Sequence, residues 1–157
     1  MKLRFLFLNC SLLLATSYAA ADSACAPLYG SYKCTDVMSP TAFETSISSS
    51  SQNGSEIVNL TSPSREIKID PTGIPLKQRD GKGITRIASG KCESKSLRIE
   101  EQITNSSTEA EYKVSTKLEL NEKNQKIMTL KTETLFRAKR TDRWSGPSLE
   151  LFICIRN

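Results

Sequence analysis

The sequence contains no histidine. Ser-His-Asp and Cys-His catalysis need an imidazole as the base, and histidine is also the commonest metal ligand among side chains. The motifs of other common chemistries are missing too: there is no G-x-S-x-G, no phosphate-binding Walker loop and no dinucleotide fingerprint. We therefore expect a protein that is not an enzyme and that has neither a cofactor nor a metal site.

Long hydrophobic runs are also missing. The longest mainly apolar stretch, residues 5–14, is interrupted at 9–11 and is too short to span a bilayer as a helix. It follows Lys2 and Arg4 and is followed by small residues, which is the three-part pattern of a secretory signal peptide. We predict a signal peptide at 1–21 and a single disulfide-stapled domain at 22–157. The protein is then exported, either periplasmic or secreted, and its mature chain has no membrane span.

Three alternatives concern the start of the chain: a different cleavage site, an uncleaved anchor and a lipoprotein. Cleavage before Ala20 is compatible with the small residues, and so is an uncleaved membrane anchor. A lipoprotein attached through Cys25 is the third alternative, although Asp22-Ser23-Ala24 before that cysteine is not the apolar sequence that such a site prefers.

Five cysteines form an odd count, but Cys10 lies in the predicted signal peptide. The mature chain keeps four: Cys25, Cys34, Cys92 and Cys154. An even number on an exported chain is typical of disulfides. A metal site made of four cysteines needs close pairs such as C-x-x-C, and these cysteines are far apart. Two disulfides are therefore predicted, with three pairings open.

The charge balance excludes one class of partner. The net charge of +5 falls to +3 when Lys2 and Arg4 leave with the signal peptide. Such a mixed surface lacks the dominant basic stripe of a nucleic-acid-binding protein. The densest basic cluster consists of Arg137, Lys139, Arg140 and Arg143, next to the only tryptophan, Trp144.

This basic-aromatic cluster follows a predicted strand, and loops between strands often carry function. It is a candidate binding site for an anionic macromolecule, with Trp144 stacking on a sugar or lying at a membrane interface. In the alternative, the segment is a solvated loop with Trp144 over the barrel mouth.

Alternation of apolar and polar residues runs through the mature chain. It is clearest at 110–120, where a helix would scatter both sets around its circumference, so the period of two favours a strand. Long strands are predicted at 92–104, 107–120 and 124–138. The last strand has Leu149, Leu151, Ile153 and Ile155 on one face but Phe152 and Cys154 on the other, so we expect it to be covered on both sides.

Turn signals separate these runs at 52–55, 70–73, 79–83, 105–107 and 121–124. Strands in unbroken succession favour an all-β, antiparallel up-and-down meander of 8–10 strands. Long meanders remove their edges by closing into a barrel. A β-sandwich is the alternative fold.

The first predicted strand carries the pattern C-x-x-L-x-G-x-Y-x-C at Cys25, Leu28, Gly30, Tyr32 and Cys34. This pattern resembles the opening strand of small secreted calycin barrels, the lipocalin and avidin group, with Tyr32 in place of the tryptophan of their G-x-W triplet. The resemblance implies that a late arginine, here Arg156, packs over that ring. The chain is also similar to uncharacterised small exported proteins of Gram-negative bacteria. It lacks the C-terminal helix of lipocalins and the tryptophans of avidin, so neither ligand is carried over.

A closed meander also suggests how the cysteines pair. The first and last strands become neighbours, which favours Cys34–Cys154. A segment crossing the barrel floor would then join Cys25 to Cys92. A Cys25–Cys34 pair would contradict this hypothesis.

Two function classes follow. The first is an exported, non-catalytic binding protein whose barrel holds a small, largely apolar ligand. The second is a periplasmic or extracellular interaction module, such as an enzyme inhibitor or an envelope-associated factor, that uses the basic-aromatic loop. An enzyme built on paired carboxylates is disfavoured, because Glu100 and Glu101 point to opposite faces of one strand.

Overall fold

The structure is a computed structural model that describes residues 23–80, 82–138 and 141–157. The predicted signal peptide, 1–21, lies outside the described residues. A 3-10 turn at Ala26–Leu28 precedes ten strands. In chain order these are β1 (Gly30–Asp36), β2 (Ala42–Gln52), β3 (Ser55–Ser62), β4 (Arg65–Ile69), β5 (Leu76–Arg79), β6 (Ile84–Glu93), β7 (Ser96–Asn105), β8 (Ala110–Leu120), β9 (Ile127–Ala138) and β10 (Ser145–Arg156).

All ten strands belong to one antiparallel sheet with the order β4-β3-β2-β1-β10-β9-β8-β7-β6-β5. The sheet curls into a nearly closed barrel, in which the first and last strands pair along Tyr32–Asp36 and Phe152–Arg156. The predicted all-β meander is confirmed. The sandwich alternative is wrong, because one continuous sheet replaces two stacked ones.

The period of two places the side chains as predicted along the central strands. On β8, Val114, Thr116 and Leu118 are buried in the barrel, whereas Lys113 and Lys117 are exposed. The three predicted long strands begin three or four residues late, at Ser96, Ala110 and Ile127, because turns precede them and residues 92–93 still belong to β6.

The last strand corrects one expectation. Glu150, Phe152 and Cys154 of β10 have the inward register, whereas Leu149, Leu151, Ile153 and Ile155 point out of the barrel and are 39–59% exposed. Within the described residues, no element covers this outer face. Although both faces of β10 carry apolar residues, only the inward face carries a buried residue.

One end of the barrel is filled and covered, and we call it the closed end. The segment 23–29 lies across it, with Cys25 and Leu28 fully buried. The structure joins Cys25 to Cys92 and Cys34 to Cys154, with Cα atoms 5.3 and 3.9 Å apart. These are the pairs favoured by the meander. The first fixes the covering segment to β6, and the second joins β1 to β10.

Gly30, Tyr32 and Arg156 meet at the closed end. Arg156 lies over the Tyr32 ring, with Cζ 5.2 Å from its centroid. The Tyr32 hydroxyl donates to the Leu28 carbonyl at 2.7 Å and accepts from Arg156 Nη2 at 2.6 Å. Gly30 has φ +150°, and a Cβ there would lie 3.3 Å from Arg156 Nε, so the arginine approaches the strand where a side chain is missing.

Candidate functional site

The opposite end of the barrel is open and forms a cavity of about 390 Å³, which we call the cup. Its apolar wall consists of Phe43, Leu60, Val114, Leu130 and Phe152. Its polar lining consists of Thr45, Ser62, Ser64, Arg65, Thr132, Thr134 and Glu150, with Pro63 between the two serines. The apolar groups are buried or half-buried, whereas Ser64 and Glu150 are exposed at the rim.

Two features give the cup its shape. Phe43 and Phe152, from β2 and β10, meet edge to face with ring centroids 5.0 Å apart and form one continuous aromatic wall. Threonines occupy inward positions where larger aliphatic side chains would fill the barrel. Thr45 is buried and donates to the Thr61 carbonyl at 2.8 Å, and Thr132 is 5% exposed. Because the side chains at the height of Thr45 and Thr132 are small, the interior keeps an open space there, whereas the closed end is filled.

A second cavity of about 570 Å³ lies where β4 faces β5 and β6, and we call it the seam groove. Side chains, rather than a continuous ladder, join the strands there. The Gln78 amide accepts from the Lys68 backbone N–H at 3.2 Å and donates to the Lys68 carbonyl at 2.7 Å. Arg86 Nη1 donates to the Glu66 carbonyl at 3.1 Å. The groove is larger than the cup, but its lining is mostly charged and exposed, so it does not suit an apolar ligand.

Glu101 is a buried carboxylate between the cup and the seam groove. Its side chain is fully buried, Arg65 Nη1 donates to Oε1 at 3.2 Å, and Arg86 Nε lies 2.9 Å from Oε2. This last pair is close without being aligned as a hydrogen bond. Burial raises the pKa of Glu101 above its ordinary value, and the two arginines offset part of that effect.

The raised pKa predicts how stability depends on pH. Because folding favours the protonated form of Glu101, its contribution to stability is complete below the ordinary pKa and is lost as the pH rises through the raised value. The variant Glu101→Gln does not titrate there. Wild type should therefore lose stability relative to this variant as the pH rises above the ordinary pKa of a glutamate, measured by urea unfolding of both proteins. A relative gain by wild type over this range would mean that the arginines dominate.

The basic-aromatic cluster is only partly brought together. Lys139 and Arg140 lie outside the described residues. Arg137 Nη2 donates to Glu111, and its guanidinium lies 4.7 Å from the Trp144 ring centroid. Lys113 Nζ lies 4.6 Å from the same ring. Because Lys113 is exposed on β8, its contact places Trp144 against the outside of β8 and β9 and not over the barrel mouth. Arg143 is exposed.

Sequence reasoning missed the cup residues and Glu101. For Glu101 a signal existed, because it lies an even number of residues from Leu97, Ile99 and Ile103. Alternate residues of a strand face the same side, so the sequence already placed this carboxylate on the inward face. Its arginine partners had no such signal, because they lie on other strands: Arg86 is on β6, which pairs with β7 in the sheet, and Arg65 is on β4, across the seam. Glu100 points outward and accepts from Ser115 Oγ at 2.9 Å, so the expected divergence of the two carboxylates is confirmed.

Comparisons with known proteins give no family. No protein-family model matches the chain, and no curated protein matches it significantly. Among the described residues, the search for a helix with the length and hydropathy needed to cross a membrane found none.

Proposed function

We propose that the protein is an exported, non-catalytic binding protein, a calycin-like barrel that holds a small, largely apolar ligand in the cup. The observation that carries this proposal is the contrast between the two ends: the closed end is packed and covered, whereas the open end keeps a cavity of about 390 Å³. Ligand pockets commonly measure ~300–1,000 Å³ and are mostly apolar with a few polar groups.

The lining indicates how such a ligand lies. Its apolar part would contact Phe43, Phe152 and Leu130, while a polar end would meet the hydroxyl and charged groups at the rim. Arg65 is held in place before a ligand binds, because Glu101 accepts its hydrogen bond. A donor fixed in advance loses less entropy on binding than a free side chain.

Binding is expected to weaken when part of the cup is filled. Thr134 is half-buried in the cup wall, so Thr134→Trp should fill part of the cavity and weaken binding of the fluorescent probe 1-anilinonaphthalene-8-sulfonate by about tenfold or more, equivalent to ~1.4 kcal/mol. The matched control Ser115→Trp adds the same ring on β8 outside the cup. Fluorescence titration of wild type and both variants measures the effect.

Native mass spectrometry of protein purified from the cell envelope or medium then asks whether a natural ligand is retained. A retained small molecule that Thr134→Trp loses and Ser115→Trp keeps supports the proposal. Equal probe binding by the two variants, with no retained molecule, would overturn it.

The alternative function, an interaction module that works through the basic-aromatic cluster, has less support. Arg137 is already paired with Glu111, and Trp144 lies between Arg137 and Lys113. These contacts occupy groups that an anionic partner would need.

A further inference from the structure

The outward face of β10 is an apolar stripe on a largely polar barrel. Leu149, Leu151, Ile153 and Ile155, which we call the β10 ribbon, are 59, 39, 40 and 56% exposed. Alternate positions on one strand lie ~6.8 Å apart, so the ribbon is a straight stripe roughly 20 Å long. Monomeric proteins rarely expose a large contiguous apolar patch unless it binds something.

The loop between β1 and β2 extends the ribbon sideways. The backbone N–H of Val37 donates to the Leu151 carbonyl at 2.9 Å, which holds this loop beside β10. Val37 is 52% exposed and Met38 is 89% exposed. With these two side chains the patch is two residues wide beside Leu151.

The charges beside the ribbon indicate what covers it. Lys131 and Glu133 are the β9 neighbours of Leu151 and Leu149, and they pair with each other at 2.7 Å. On the other side, Lys33 lies next to Ile155 and in register with Glu44. Both flanks are therefore close to neutral. When a surface binds a second copy of itself, charges of the same sign meet unless each flank carries equal positive and negative charge. An anionic lipid surface would instead favour flanks with excess lysine.

We propose that two copies of this chain form a symmetric dimer through the β10 ribbon. A two-fold axis would place the two ribbons face to face, so that the same residues contribute from each copy. The ribbon lies outside the barrel and the cup inside it, so the dimer leaves both cups open. Dimer formation therefore does not depend on a ligand in the cup.

The oligomeric state tests the proposal directly. Light scattering during gel filtration of the disulfide-bonded protein should give twice the chain mass at about 50 µM. Ile153→Lys places a charge in the centre of the interface and should weaken association by about tenfold or more. The control Thr104→Lys adds the same charge to an exposed position on β7 and should stay dimeric. A monomeric wild type, or equal dissociation by both variants, would overturn the dimer.

A charge-swap experiment distinguishes self-association from other occupants. Ile153→Lys and Ile153→Glu should each be monomeric, and mixing them should restore a mixed dimer because opposite charges then meet across the two-fold axis. A mixture that stays monomeric contradicts the symmetric contact. If wild type is monomeric and binds phosphatidylglycerol vesicles, the ribbon contacts a membrane and not a second copy. This result would also overturn the dimer. Unchanged circular dichroism shows that each variant is folded.

Discussion

Removing the Cys34–Cys154 disulfide, in the double variant Cys34→Ala and Cys154→Ala, is expected to lower the free energy of unfolding by about 4–5 kcal/mol. The two cysteines are 120 residues apart, and a bond that closes so long a loop removes much of the entropy of the unfolded chain. In the folded barrel they already lie directly opposite each other on β1 and β10. The bond therefore adds little to the stability of the native strand pairing. Its main effect is to lower the entropy of the unfolded chain.

This reasoning predicts a second observable. Without the bond the unfolded chain is more expanded, so the denaturant slope of urea unfolding should rise together with the fall in midpoint. The matched variant Cys25→Ala and Cys92→Ala opens a loop of 67 residues and should lose a similar ~4 kcal/mol. It should also loosen the segment that covers the closed end, which amide hydrogen exchange at Leu28 measures. A loss below about 1 kcal/mol with an unchanged slope would contradict the entropic account.

The local pattern predicted much of this fold. Alternation on β7, β8 and β9 predicted which side chains face the core, because each strand is half-buried and its period does not depend on its neighbours. The meander also favoured the observed cysteine pairs, since closing any such sheet between its ends brings β1 beside β10.

The functional surfaces depend on register between distant strands, and this explains the errors. On β10, apolar residues on both faces suggested two covered faces, but no other element of the described structure packs outside that strand. Closeness in sequence groups Arg137 with Arg143. The pairing of β8 with β9 instead places Arg137 opposite Glu111. The cup exists because threonines from β2 and β9 lie at the same level, which depends on the stagger of the closed sheet.

The second large effect is expected at Tyr32. This side chain is fully buried at the closed end, so Tyr32→Ala should lose about 3–5 kcal/mol, the usual cost of removing a large aromatic side chain from a core. Tyr32→Phe keeps the ring and removes only the hydroxyl. It should cost less, about 1–3 kcal/mol, because the Leu28 carbonyl and the Arg156 guanidinium lose a hydrogen-bond partner.

Arg156→Ala separates the two roles of this contact. Arg156 also donates to the Pro27 carbonyl, so its removal should loosen the covering segment while the ring stays in place. If the hydroxyl and the guanidinium act together, the double variant Tyr32→Phe with Arg156→Ala will lose less than the sum of the two single losses. The control Tyr112→Ala removes a half-buried ring packed on Phe136 and should cost clearly less than Tyr32→Ala. Equal losses at the two tyrosines in urea unfolding would show that the closed end is not the more tightly packed half of the barrel.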